Sequence, residues 1–332
     1  MRRGVRSANR RHTAFDARIC RARVVHYSPP MENTLLGQTC ALLAALTWAF
    51  ALVLFKRTGE HIPPLALNLF KNVVGLILLV ATLCFMPDSL AALHRYPRED
   101  IVILIISGLL GIALADTVFF HALNLIGVGI VSIVDCLYSP FIILFAYLIL
   151  SEELGLSDYA GTGLILVGVL VTSRLTPPAD RTRSQLVLGV ILGASAMALM
   201  TFGIVIAKPV LEFYDFPLIL ATALRMLAGT LALALIALAS PLRKKHWSAF
   251  RLTSTWKISL PASILGAYFA LILWMAGFKY AKAAVAGILN QTSVVFAIIL
   301  AAVFLKESFG LRKAIAVTLA MMGVALVTLG AS

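Results

Sequence analysis

The sequence predicts an all-α polytopic membrane protein in which ten transmembrane helices form two inverted five-helix repeats. Three observations predict this fold class. Of the 332 residues, 61% are hydrophobic and 13% are charged, whereas about 25% of the residues in soluble globular domains are charged. The hydrophobic residues are concentrated in ten runs of membrane-spanning length. The last five runs repeat the pattern of the first five.

Each span is a run of apolar residues with few charges, which is typical of a helix that crosses a bilayer. Lipid offers no hydrogen bonds to a backbone, so we expect helices, which pair their own amides. The first repeat contains the predicted spans 35–55, 65–86, 101–122, 127–150 and 159–173. The second repeat contains the predicted spans 186–207, 216–239, 258–278, 283–304 and 311–329.

The repeat rests on glycine, proline and charged residues, because apolar helices share leucine and alanine by chance. The first helices of the two repeats are offset by 152 residues, the second helices by 154 and the later helices by 155. The matched pairs include Lys56 with Lys208, Lys71 with Arg225, Gly75 with Gly229, Gly111 with Gly266, and Glu152 with Glu307. Residues 31–175 and 184–331 are therefore predicted to be equivalent units, and such folds usually carry a solute path between their halves.

Residues 1–30 are predicted to be a basic tail without a folded core. Eight of the 28 basic residues fall within the first 23 positions, and no signal-peptide hydrophobic region accompanies them. The tail either is a disordered segment that contacts anionic lipid headgroups or lies upstream of a true start at Met31, and the second interpretation is favoured. No nucleic-acid partner is expected, because the tail lacks interleaved aromatic residues.

Charged and strongly polar side chains within the spans form the candidate site. An ionisable group in the bilayer core costs at least ~2.5 kcal/mol, so its presence indicates a function or a specific partner. The repeat aligns Asp135 with Asn290, whereas Asp116 aligns with Leu271, so the acidic groups belong to the first half. We predict that five such residues line a polar cavity between the repeats and bind or couple the substrate: Lys71, Asp116, Asp135, Arg225 and Asn290.

Asp135 is predicted to lie near the membrane midplane, and Lys71 and Asp116 at similar depths on one side. Either carboxyl group could bind and release a proton, because burial and nearby cations both change how tightly a carboxyl group holds its proton. Two structural alternatives stay open. Lys71 and Asp116 could form an ion pair that only joins two helices. Tyr138 and Ser139, one turn after Asp135, could satisfy its carboxylate, and Tyr138 is included in the candidate binding set.

Pro140 is the predicted gating position. It lies in the fourth span, frees a backbone carbonyl one turn earlier and can kink the helix beside Asp135. Glu152 and Glu307 follow the fourth and ninth spans. We interpret these two glutamates as interfacial carboxylates or as caps of the next helix.

The sequence predicts no catalytic site, no metal centre and no cofactor, and therefore not an enzyme. Its four cysteines and six histidines are dispersed, without metal-ligand or redox spacing. It contains no glycine-rich phosphate loop, no His-Glu-x-x-His and no nucleophile elbow.

Several motifs occur in both halves. The first half contains Ala-Leu-x-x-Ile-Gly-x-Gly at 122–129, Ser-Pro at 139–140, Leu-Ser-Glu-Glu-Leu at 150–154 and Gly-Val at 168–169. The second half contains Gly-Phe at 277–278, Leu-Lys-Glu at 305–307, Gly310, and Gly-Val at 323–324. With Arg225 after Pro-Leu at 217–218, these motifs resemble the drug/metabolite transporter superfamily, specifically its EamA-type ten-helix branch. The resemblance covers about residues 35–330, and Lys71 stands where arginine is more usual in the family.

The resemblance implies a carrier in the inner membrane of a bacterium, with inverted halves and cytoplasmic termini. It implies small organic solutes such as amino acids, nucleoside-like metabolites or drugs. The positive-inside rule favours the opposite orientation once the basic tail is left out, because most loop lysines and arginines then lie on the side away from the N-terminus. Both orientations stay open.

We therefore predict a secondary transporter that moves a small polar organic solute, an amino-acid-like metabolite or a drug, across the inner membrane by alternating access. Protons are the candidate coupling ion, membrane lipid surrounds the helices, and the protein acts as a monomer or a homodimer. The alternative is a polytopic membrane enzyme or receptor without transport activity. A passive channel is a further alternative.

Overall fold

The computed structural model describes residues 31–59, 64–172, 182–213, 216–243, 247–250, 255–304 and 310–330. Within these ranges the protein is helical and has no strand. Six of the described helices are long and apolar enough to cross a membrane, and four shorter apolar helices accompany them. The predicted basic tail and Glu307 lie outside the described residues.

The helices of the first repeat are, in chain order, α1 (Met31–Gly59), α2 (Pro64–Cys84), the short α3 (Pro87–Ala91), α4 (Arg98–Gly108), α5 (Asp116–Asp135), α6 (Tyr138–Leu150) and α7 (Leu156–Thr172). A 3₁₀ turn, Ala92–Arg95, precedes α4, and a π-helical segment, Leu109–Ala115, joins α4 to α5. Proline begins both α2 and α3, because the first amide of a helix has no helical partner to lose.

The helices of the second repeat are α8 (Arg183–Phe213), α9 (Leu218–Ala239), α10 (Trp256–Ser263), α11 (Ala270–Tyr280), α12 (Ala283–Asn290), α13 (Ser293–Phe304) and α14 (Leu311–Gly330). A 3₁₀ turn, Trp247–Phe250, precedes α10, and a π-helical segment, Ile264–Phe269, joins α10 to α11. The two π segments occupy equivalent positions of the repeat. π-helical segments are rare in proteins, and many of them lie at functional sites.

The predicted fourth and ninth spans are each interrupted. The first interruption lies beside Asp135, where the sequence predicts a kink, whereas the sequence does not predict the second. Residues 136–137 separate α5 from α6, and residues 291–292 separate α12 from α13. The offset of 155 relates the two interruptions. Only the first one is followed by a proline, Pro140, whose equivalent is Val295. A proline therefore cannot explain both interruptions.

Helix α5 contains the end of the predicted third span and the start of the fourth, and it bends back on itself. A Cβ atom built on Gly193 of α8 would lie 2.7 Å from Val134 and 3.6 Å from Ala122. Residues twelve positions apart in a straight helix are about 18 Å apart. Both side chains can contact one point only if the chain reverses between them, where the sequence predicts the loop between two spans.

Contacts between the repeats are reciprocal, as in a two-fold symmetric dimer. Each first helix packs against the third and fourth spans of the opposite repeat, α1 against α11 and α13, and α8 against α5 and α6. Glycines allow these close approaches. Three contacts between the repeats each have an equivalent contact in which the two repeats change places. These are Gly37 on Ala281 with Gly189 on Ile126, Gly75 on Ala267 with Gly229 on Ile112, and Gly161 on Gly323 with Gly168 on Ala316.

The last helices of the two repeats, α7 and α14, run antiparallel. Gly161 contacts Gly323 and Val327, whereas Gly168, about two turns later in α7, contacts Ala316, which lies earlier in α14. Equivalent helices therefore point in opposite directions, which is the relation expected of inverted repeats.

The outer surface of the helices is rich in aliphatic side chains. Ile77 is 62% exposed, Leu231 57% and Leu235 67%. In a bilayer, lipid chains cover such side chains, whereas in water large exposed apolar patches are rare on soluble monomers. Together with the six long apolar helices, this surface makes the chain an integral membrane protein.

Candidate functional site

The two helix interruptions are joined by a hydrogen bond between the repeats. The side-chain amide of Gln291 donates a bond of 2.9 Å to the backbone carbonyl of Asp135, the last residue of α5. This bond satisfies one of the carbonyl groups that a helix end leaves without an intrahelical partner. Gly287 of α12 packs against Tyr138 and Ile142 of α6. The interrupted helices of the two halves are therefore in direct contact.

Arg225 of α9, Trp274 of α11 and Tyr138 of α6 form a buried group that we call the central cluster. The guanidinium carbon of Arg225 lies 5.5 Å from the centroid of the Trp274 ring, within the distance at which an aromatic ring attracts a cation. Arg225 and Tyr138 are each only 4% exposed. Neither the Arg225 Nη1 atom nor the Tyr138 hydroxyl has a hydrogen-bond partner among the described residues.

The chain places the central cluster beside the first interruption. Tyr138 is the first residue of α6, directly after the break that follows Asp135, and the two side chains lie within electrostatic range. Gly108, at the end of α4, packs on the backbone of Arg225. A Cβ atom on Gly111 would lie 3.7 Å from the Arg225 Nη2 atom. Small residues therefore let the π segment approach the guanidinium.

Asp116 is held by a chain of amide hydrogen bonds rather than by a direct ion pair. Asn68 donates a bond of 3.1 Å to Asp116 Oδ2, and Asn72 donates a bond of 3.1 Å to Asn68. The Lys71 ammonium lies 5.3 Å from the centroid of the Trp48 ring, and it acts on Asp116 electrostatically without a hydrogen bond. The alternative of a helix-locking Lys71–Asp116 pair is thus not formed.

A second buried group, which we call the end network, consists of Lys208, Glu152 and Glu212. The Lys208 ammonium lies 3.2 Å from Glu212 Oε2 and 3.9 Å from Glu152 Oε1. It also donates hydrogen bonds of 2.7 Å and 3.1 Å to the carbonyls of Ala281 and Phe278, at the end of α11. An ammonium has three donors, so all the donors of this buried lysine have acceptors.

Glu152 joins the repeats because it caps a helix of the opposite half. Its carboxylate oxygens accept hydrogen bonds of 2.7 Å from the Ala283 amide and 3.1 Å from the Ala284 amide, at the start of α12. The positive end of a helix dipole stabilises a carboxylate there. Ser151, with a φ of 55°, ends α6 immediately before Glu152. The expectation that Glu152 caps the next helix, α7, is therefore wrong.

The architecture matches a known fold and a known family. A solved crystal structure aligns with 90% of this chain, and the alignment includes 98% of the solved chain. The TM-score is 0.72 and the sequence identity is 23%, which shows likeness of fold alone. The model of the EamA-like transporter family matches residues 35–174 and 187–329, once on each half. The chain belongs to the EamA-like transporter family. This confirms the resemblance to the drug/metabolite transporter superfamily.

One curated relative of this EamA chain is the uncharacterized transporter YoaV of Bacillus subtilis (strain 168). The two are 25% identical over 142 residues, which is 43% of this chain and 48% of YoaV. The chain thus matches about half the length of this relative. The similarity agrees with the family match.

The structure brings some predicted site residues of the EamA chain together and separates others. Neither the Tyr138 nor the Ser139 hydroxyl hydrogen-bonds to Asp135, which excludes that alternative. Asn290, half-buried, is the last residue of α12, at the second interruption. Three neighbourhoods result: Arg225 with Tyr138, Lys71 with Asp116, and Asn290. Asp135 lies within electrostatic range of Tyr138.

A cavity of about 110 Å³ lies between α1, α13 and α14. Apolar side chains such as Leu42, Phe296 and Met321 line it, and none of the predicted site residues does. It is therefore not the predicted polar cavity between the halves, which stays a prediction.

Sequence reasoning missed Trp274, Gln291, the Asn68–Asn72 pair and the contacts that join the members of the end network. One signal could have found the asparagines, because two amides one turn apart flank Lys71 in an otherwise apolar span. Trp274 gives no such signal, because an aromatic residue is unremarkable in an apolar helix.

Proposed function

We propose that the protein is a secondary transporter that moves a small polar organic solute, an amino-acid-like metabolite or a drug, across the bacterial inner membrane by alternating access. Ten membrane-crossing helices, five in each repeat, form the carrier. The observation that carries this proposal is the contact of two interrupted helices, one from each repeat, through the Gln291–Asp135 bond. In carriers with inverted repeats, interrupted helices lie at the repeat interface, where solutes and ions bind.

The reciprocal packing supports alternating access. Halves that are related by inversion can exchange conformations, so a state open to one side has a counterpart open to the other. The end network holds the halves together at one end through Glu152 and the start of α12. Opening of that end would require the Glu152 contacts to break.

Asp135 is the proposed proton-coupling residue. It is half-buried at the end of α5, and its carboxylate forms no ion pair with a described residue. A carboxylate without a fixed cation can change its protonation state when its surroundings change. The repeat puts Asn290 at the equivalent position, so only the first half has a titratable group there.

The test uses the purified protein in proteoliposomes, with amino acids, organic acids and drugs as candidate solutes. We expect saturable uptake that an inward proton gradient accelerates. Asp135→Asn should lose the gradient-driven component and keep solute counterflow, because exchange needs no net proton movement. Asp116→Asn shows which of the two carboxylates couples.

Two outcomes would contradict the proposal. Gradient-driven uptake that persists unchanged in Asp135→Asn would exclude coupling through this residue. The absence of saturable uptake or counterflow for every solute would contradict transport itself.

A further inference from the structure

The central cluster contains a buried cation without a counter-ion. Arg225 is 4% exposed, and no carboxylate of the described residues forms an ion pair with it. A guanidinium has five N–H donors, and the buried Nη1 atom has no acceptor in the described part of the chain. Burial of an unpaired charge is strongly unfavourable. Its presence in an apolar helix therefore indicates a partner that is not part of this arrangement.

The surroundings of Arg225 leave its buried Nη1 atom without an acceptor in the described part of the chain. Trp274 lies against the guanidinium, at 5.5 Å from its carbon, and this contact uses the π face rather than the N–H groups. The Tyr138 hydroxyl lies near the Trp274 side chain without a hydrogen bond of good geometry, and it is within electrostatic range of Arg225. Gly111 carries no side chain near Nη2. Two kinds of donor and an aromatic surface therefore lie close together.

We propose that Arg225 binds the carboxylate of the transported solute, with the Tyr138 hydroxyl as a second donor and the Trp274 ring against the body of the solute. The proposal rests on the proposed transport function and names its substrate class, small organic anions or zwitterions with a free carboxylate. A planar guanidinium pairs with a carboxylate through two parallel N–H···O bonds. An indole beside this pair favours a solute whose body is apolar.

The test measures binding by the full-length protein, purified in detergent, as a rise in its apparent melting temperature. Benzoate and phenylacetate are the carboxylate probes, benzamide and phenylacetamide their neutral counterparts, and inorganic phosphate a second anion, all at constant ionic strength. We expect the carboxylates to stabilise the protein and the amides not to. Arg225→Met should weaken carboxylate binding by about 10-fold or more.

Two conservative variants keep the test decisive if Arg225→Met does not fold. Arg225→Lys keeps the charge and loses the planar pair of donors, so it should retain only part of the affinity. Tyr138→Phe removes one hydroxyl and should cause a smaller loss. Unchanged binding in both would overturn the assignment.

Other outcomes also overturn it. These are no response of the wild-type protein to any probe, an equal response to carboxylates and amides, and a response to phosphate alone. The same holds if the carboxylate probes stabilise Asp135→Asn but not the wild-type protein, because Asp135 would then be the counter-ion of Arg225. The binding assay needs no transport. Binding without transport therefore contradicts the carrier function, whereas undiminished transport by Arg225→Met contradicts only this site.

Discussion

Lys208 on α8 and Arg225 on α9 are equally buried, at 4% exposure each, but their surroundings differ. Two carboxylates and two backbone carbonyls surround the Lys208 ammonium. Arg225 has an aromatic ring beside it, and its Nη1 atom has no acceptor among the described residues. A buried charge whose donors are all used fixes its helices in place, whereas one with free donors remains available to a ligand. The contrast separates the structural role of the end network from the binding role of the central cluster.

Lys208→Met tests the structural side and has the largest expected effect. The substitution leaves Glu152 and Glu212 without their cation and two carbonyls at the end of α11 without a donor. Removal of one partner from a buried ion pair costs about 3–5 kcal/mol. We expect a large fall in the apparent melting temperature of the detergent-purified protein, compared at one heating rate because unfolding is often irreversible.

The matched control is Lys257→Met, at an exposed lysine, which should change the melting temperature little. If the two variants behave alike, the end network does not hold the repeats together.

Arg225→Met makes the same kind of change in the central cluster, and its expected effect on stability has the opposite sign. No described carboxylate loses a counter-ion, and an unpaired buried charge is removed. Replacement of a whole buried ion pair by apolar side chains is often neutral or stabilising by about 1–4 kcal/mol, and removal of an unpaired buried charge likewise leaves no partner charge behind. We expect the melting temperature without ligand to stay unchanged or to rise. A fall as large as that of Lys208→Met would mean that Arg225 is paired in solution.

The sequence identifies the buried charges better than their partners. Arg225 and Asp135 stand out because charges are rare in apolar spans. Glu152 is visible at the end of its span, but its bond to the Ala283 amide crosses 131 positions of the chain. Nothing local distinguishes that partner from the start of the next helix. Long-range partners such as this one follow from the packing of the two repeats.

The sequence predicts the reciprocal packing further than it predicts the helix interruptions. Because the two repeats have similar sequences, we expect them to fold alike and to contact each other through equivalent residues. The contacts of Gly161 with Gly323 and of Gly168 with Ala316 are such a case. The interruptions are different. Polar residues mark both places, Asp135 in the first and Asn290 to Ser293 in the second, but polar residues alone do not predict a break in a helix. A tertiary hydrogen bond from Gln291 to the Asp135 carbonyl stabilises the break, and hydropathy carries no record of that bond.

Asp116 lies between the two extremes of this comparison, because it has one hydrogen bond and a cation that does not touch it. Asn68→Ala removes the donor to its carboxylate and should cost about 1–2 kcal/mol. Asn72→Ala is the matched control, because Asn72 donates to Asn68 and not to Asp116, and it should cost about 0.5–1 kcal/mol. In the same melting assay, Asn68→Ala should lower the melting temperature more than Asn72→Ala and less than Lys208→Met. Equal effects of the two asparagine variants would mean that Lys71, rather than Asn68, stabilises the Asp116 carboxylate, and Asp116 would then belong with the paired charges of the end network.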